Sequence, residues 1–124
     1  MSKKKIRKRS ILASRRYLEM QGWDVIATSV DGEELEPFHI VGTDDAGNLV
    51  FVRVRAFNRP PEAGDAVDVD AELRLKMEDR FCHFLLDHPD YVDVPVRADA
   101  VDIYVISHDR AMLRHQINCV NCSL

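Results

Sequence analysis

The stretch LVFVRVRAF, residues 49–57, is the most regular β-strand pattern in the chain. Its three valines alternate with Phe51, Arg53 and Arg55, and a period of two places the two sets on opposite faces of a sheet. The valine face predicts packing against an apolar core. The opposite face presents two arginines two residues apart, so we expect either a binding surface or an ion-paired surface there.

The segments before this strand predict a helix and two further strands. The turn-rich residues 44–48 join it to an extended stretch at 37–43, which predicts a β-hairpin. Residues 23–30 are rich in β-branched side chains and predict a first strand. Residues 6–21 have helical spacing and are followed by a glycine, a common helix stop.

The segments after this strand add one helix and two strands. From Val69 the apolar period is helical until His88-Pro89, and residues 94–106 and 111–117 are extended. The predicted order is α-β-β-β-α-β-β. This order indicates an α/β domain of three layers, with a mixed central sheet flanked by helices.

Length and composition favour one globular domain. The chain has 124 residues, of which 46% are hydrophobic, and no apolar run approaches the ~20 residues that a membrane span needs. The charged N-terminus lacks the apolar segment of a secretory signal, and three cysteines fit a reducing compartment. We therefore expect a soluble cytoplasmic protein without a membrane partner.

Charge is distributed unevenly along the chain. Residues 1–16 hold eight of the seventeen basic residues and no acid, whereas the other 108 residues hold nine basic and twenty-one acidic ones, a net −12. We expect residues 1–9 to form a flexible basic arm, 10–118 the domain and 119–124 a tail. Such an arm suits contact with nucleic-acid phosphates, although it is also typical of a solvated terminus that aids solubility. The basic residues of the arm are Lys3, Lys4, Lys5, Arg7, Lys8 and Arg9.

Several segments, in order, resemble a known group of bacterial proteins. They are RYLE at 16–19 with QGW at 21–23, LVFVRVR at 49–55, Ala66-Val67, and LRHQIN at 113–118. Together they are similar to the YraN-like family, which has a restriction-endonuclease-like fold, and the likeness spans nearly the whole chain. The resemblance implies that fold and a DNA- or RNA-processing context.

The resemblance also identifies four positions where nuclease chemistry has been replaced. Active members of the wider superfamily hold a divalent ion with an acid on the second strand and an acid and a lysine two residues apart on the third. Those positions fall on His39, Arg53 and Arg55, and the first-helix glutamate falls on Ile11. An arginine fixes a positive charge where the metal ion would sit. We therefore expect a non-catalytic nuclease fold with no cofactor, which either binds DNA or RNA weakly through its basic arm or serves in protein interactions.

An alternative is an active Mg²⁺-dependent nuclease with relocated acids. Carboxylates suit Mg²⁺, and the candidates lie near the second strand and in the following turn. They are Glu33, Glu34, Glu36, Asp44 and Asp45.

A third hypothesis is a redox or metal-binding protein built on Cys119 and Cys122. This C-x-x-C pair lies close to the end of the chain and lacks a second pair. A zinc site would require the pair to converge with Cys82, His83 or His115.

Arg53 and Arg55 allow two interpretations. Two arginines on one face can hold a phosphate group by bidentate hydrogen bonds. They can equally form ion pairs with acids such as Glu34, Glu36 or Asp44. Asp102 lies within an apolar strand, where an unpaired carboxylate is costly, so we expect it to pair with one of the two arginines.

Overall fold

The computed structural model describes residues 2–119. Its helices and strands follow the predicted order α-β-β-β-α-β-β. Short 3₁₀ turns occur at Ser29–Asp31, Ala63–Asp65 and Pro89–Tyr91. The elements are α1 Lys3–Met20, β1 Asp24–Thr28, β2 Ile40–Thr43, β3 Leu49–Phe57, α2 Ala71–Asp87, β4 Val96–Ser107 and β5 Arg110–Gln116.

The five strands form one mixed sheet in the order β1-β2-β3-β4-β5. Only β3 and β4 run parallel among these strands, and they pair from Leu49↔Val96 to Phe57↔Tyr104. A parallel pair needs a crossover connection, and α2 supplies it. The predicted mixed sheet of an α/β domain is thus confirmed.

Both faces of the sheet are covered, one by each helix. The valines of β3 pack with Ile11 and Leu18 of α1. Phe51 points the other way and packs with Met77 and Phe84 of α2. The alternation expected for β3 is confirmed, and it gives the sheet a buried core on each side, as in a three-layer α/β domain.

The second strand is shorter than its sequence predicts. It was expected from Pro37 but begins at Ile40. The amide of Phe38 donates to the carbonyl of Leu35 at 2.8 Å, which makes a turn of the preceding residues. The ladder with β3 starts only at His39, whose amide donates to Val52.

Residues 1–9 were expected to form a flexible arm, whereas the structure is helical from Lys3 onward, where α1 begins. Ser2 provides the N-terminal cap of α1, since its side-chain oxygen accepts a hydrogen bond from the amide of Lys5 at 3.2 Å.

In the part of the chain that the structure describes, neither helix has the length and apolar character needed to cross a membrane.

Replacing Gly42 in β2 by alanine tests the close pairing of β1 and β2. The added Cβ would lie 2.7 Å from the carbonyl oxygen of Asp24, so one strand must shift. We expect Gly42→Ala to lower the free energy of unfolding in urea by about 1–3 kcal/mol. Gly64→Ala is the control, because a Cβ at that position meets nothing within 4 Å. Equal unfolding free energies for the two variants would contradict this packing.

Candidate nucleic-acid interface

Arg55 on β3 is held by a buried carboxylate. Its Nε and Nη2 donate to the two oxygens of Asp102 at 2.7 and 2.9 Å, and Asp102 is 0% exposed. The pairing of Asp102 with one of the two arginines is thereby confirmed. The acids suggested as partners from the sequence are wrong for Arg55, because the register of β3 and β4 places Asp102 directly beside it.

The carboxylate of Asp102 also binds two side chains of β5. Arg114 donates to it at 3.0 Å and Gln116 at 2.8 Å. Burial alone would raise the pKa of Asp102, but the hydrogen bonds from Arg55, Gln116 and Arg114 outweigh it and lower the pKa. This group stays ionised and joins three strands.

The loop after β3 closes over the same network. The backbone carbonyl of Asp65 accepts hydrogen bonds from Arg55 and Arg114, and the Asp65 carboxylate binds Arg59 at 2.7 Å. The amide of Val67 donates to the side chain of Gln116 at 3.3 Å. Arg55 is therefore a structural residue whose Nε and Nη2 donate to protein oxygens.

Arg53 is in a different position from Arg55. It is half-buried, and its Nε is enclosed with no hydrogen-bond partner among residues 2–119. Burial lowers the pKa of Arg53, and the charges of Arg55 and Arg7 lower it further. An arginine remains protonated under such conditions, so Arg53 is a half-buried cation without a carboxylate among the described residues that acts on it.

His39 lies just before β2 and is 8% exposed. Its Nδ1 accepts a hydrogen bond from the amide of Val54 at 2.9 Å. Burial, followed by the charges of Arg7 and Arg53, lowers the pKa of His39 to about 4. The ring is therefore neutral at pH 7 and takes the place of a backbone acceptor at the end of the β2–β3 ladder.

Ile11, the fourth position identified from the resemblance, lies in the core between α1 and the sheet. Among residues 2–119, no group of three or more His, Cys, Asp and Glu side chains is arranged to hold a metal ion.

The acids considered as relocated ligands do not lie on the second strand. Glu33, Glu34 and Glu36 are exposed in the segment before β2, since that strand begins only at Ile40. Asp44 binds Arg97 at 2.6 Å and accepts hydrogen bonds within its own turn from Ala46 and Asn48. Asp45 is exposed in the same turn.

The first turns of α1 form a basic wall beside His39. A groove of about 430 Å³ runs between this wall and the segment before β2. Arg7 extends across the groove, and its Nη2 lies 3.1 Å from Nε2 of His39. Sequence reasoning missed this meeting of α1 and His39, because only tertiary structure brings the two together. The described residues that line the groove are Lys4, Arg7, Lys8, Ile11, Ser29, Val30, Glu36, Phe38 and His39.

A second polar cluster lies at the opposite end of α1. The hydroxyl of Tyr17 is 3.2 Å from Nδ1 of His115, whose Nε2 is 2.8 Å from the buried Asp99. Asp99 also accepts from Arg97 at 3.0 Å, and Arg97 lies over the ring of Trp23. Each polar group here has a partner within the cluster, so it ties α1 to β4 and β5.

The cysteine hypothesis finds little support in the described residues. Cys119 donates its thiol to the carbonyl of Ala98 at 3.3 Å, and burial raises its pKa to about 11. Cys82 is exposed on α2, and His115 is bound to Tyr17 and Asp99. Cys122 lies outside the described residues.

Comparison with known proteins gives no assignment. No protein-family model matches the chain, and no curated protein matches its sequence.

Replacing Asp102 by asparagine tests the network on β3. We expect Asp102→Asn to lower the free energy of unfolding at pH 7 by about 3 kcal/mol, because two arginines lose their buried counter-charge. Because the pKa of Asp102 is lowered in the folded protein, this contribution is complete above the unfolded-state pKa of about 4 and is lost as the pH falls through the folded-state pKa. The difference in unfolding free energy between wild type and variant should therefore shrink in urea titrations below pH 4.

Asp31→Asn is the matched control. Asp31 also pairs with an arginine, at 3.1 Å, but its side chain is 62% exposed. Surface ion pairs contribute about 0–1 kcal/mol. If Asp102→Asn destabilises no more than Asp31→Asn, Asp102 does not have the structural role assigned to it.

Proposed function

We propose that the protein is a non-catalytic nucleic-acid-binding domain and that the first half of α1 binds the phosphate backbone. The observation that carries this proposal is the charge of α1. Six of the seven residues from Lys3 to Arg9 are basic, and the first turn of the helix has no acid. Lysine and arginine on one element are the usual means by which a protein neutralises DNA or RNA phosphates.

This charge pattern destabilises the helix that carries it. A helix N-terminus already bears a partial positive charge, so cations there are unfavourable. Lys4 and Lys8 are also four residues apart, and like charges at that spacing repel each other. Both costs are relieved when an anion lies against the helix, which favours a function in anion binding.

The proposal includes the restriction-endonuclease-like fold and the YraN-like family that the sequence resembles. The mixed sheet, the hairpin of β2 and β3, and the helix on each face agree with the fold that the resemblance implies. Fold alone is a weak guide to function. The charges of α1, rather than the likeness, support nucleic-acid binding.

The absence of catalysis is proposed from the four replaced positions. Arg53 presents a positive charge, which repels a divalent cation, and Arg55 is already bound to Asp102. His39 uses Nδ1 to accept a backbone amide, and Ile11 is part of the core.

The salt dependence of binding tests the role of α1. We expect wild-type protein to bind a short DNA duplex with an affinity that falls as salt rises, because counterions are released from neutralised phosphates. Lys4→Gln/Lys8→Gln should reduce the slope of log K against log[salt] by about 2, roughly one unit per lost contact. Fluorescence anisotropy at several salt concentrations measures both quantities.

The control variant Lys76→Gln/Arg110→Gln also removes two positive charges, from exposed residues outside α1, and should leave the slope of log K against log[salt] unchanged. Equal slopes for the two double variants would refute the proposed interface. Cleavage of the duplex with Mg²⁺ or Mn²⁺ that disappears in Glu34→Gln, Glu36→Gln or Asp45→Asn would instead show an active nuclease.

A further inference from the structure

The tautomer of His39 follows from its backbone contact. The amide of Val54 can only donate, so the Nδ1 that accepts it at 2.9 Å carries no proton. Turning the ring over would place a carbon against this buried amide. The ring is neutral at pH 7, since its pKa is lowered to about 4. The single ring proton is therefore on Nε2.

Arg7 meets His39 donor to donor. A guanidinium has five N–H donors and no acceptor, so the 3.1 Å contact between Nη2 of Arg7 and Nε2–H of His39 is not a hydrogen bond. Two donors this close are both satisfied when one acceptor atom lies within reach of each. An anionic oxygen bound in the groove would accept a hydrogen bond from both donors.

The charge around this place favours an anion. Lys4 and Lys8 line the groove with Arg7, and of the described lining residues only Glu36 is acidic. Arg53 is near enough to His39 for its charge to lower the pKa of the ring.

We propose that Nε2–H of His39 and the guanidinium of Arg7 form a binding subsite for one phosphate group, which Lys4 and Lys8 contact from the helix. This inference rests on the proposed function, and it assigns a specific phosphate position within the basic face. Phosphate fits better than a planar carboxylate because its tetrahedral oxygens can reach donors on both walls of the groove. The phosphate is either an internal diester of a nucleic acid or a terminal monoester.

NMR spectroscopy of ¹⁵N-labelled protein tests the subsite directly. The ring nitrogens should show the Nε2–H tautomer, and titration with inorganic phosphate should shift the Nε2 resonance of His39 until it saturates. A ring protonated on Nδ1, or a resonance that phosphate does not move, would overturn the inference.

Variants separate the ligand role of His39 from its structural role. Asparagine at this position retains an oxygen that can accept the Val54 amide but lacks the Nε2 donor. We expect His39→Asn to weaken phosphate binding about tenfold. His108→Asn, a change of the same kind at an exposed turn residue, should have no effect. Arg7→Gln alters an exposed helix side chain and should also weaken binding about tenfold if His39→Asn does not fold.

Oligonucleotide duplexes identify the source of the phosphate and distinguish the two proposals. Tighter binding of a 5′-phosphorylated duplex assigns the subsite to a terminal monoester, whereas equal binding with a shifted His39 resonance assigns it to an internal diester. Duplex binding that depends on Lys4 and Lys8 but leaves His39 unshifted would refute the subsite and retain the proposed function. No duplex binding and no phosphate shift would refute both.

Discussion

The carboxylate of Asp102 is the interaction on which the centre of the structure depends. It is fully buried in β4 and binds Arg55 of β3 together with Arg114 and Gln116 of β5. The loop that crosses to α2 is attached to the same cations through the carbonyl of Asp65. Removing one member of such a network leaves a buried charge unpaired, so strand register and loop position are fixed together.

This network determines which cations remain available to bind a ligand. Nε and Nη2 of Arg55 are bound to Asp102, whereas Arg53, two residues earlier on the same face, has a buried Nε without a partner among the residues described. Lys4, Arg7 and Lys8 of α1 line the groove together with His39. The buried carboxylates of β4 are thus compensated by arginines within the sheet, whereas three cations of α1 line an open groove.

The structural features that depend on a local sequence pattern were predictable from the sequence. Strand β3 was expected at residues 49–57 and occurs there, because the alternation of apolar side chains is unambiguous. The pairing of Asp102 was predictable because a carboxylate in an apolar strand needs a cation. The contacts of Asp65 and the position of His39 against Arg7 were not, since they depend on how distant segments meet. The helical start at Lys3 was missed because like charges at a helix N-terminus argue against a helix.

The central claim is that α1 keeps unfavourable charges because they bind phosphate, and one paired measurement tests it. Lys4→Glu/Lys5→Glu places acids in the first turn and completes a capping box with Ser2. Unfolding free energy and duplex affinity should be measured on the same sample. The account predicts that stability rises by about 1 kcal/mol while affinity falls at least about tenfold. Unchanged affinity in a folded variant would contradict it.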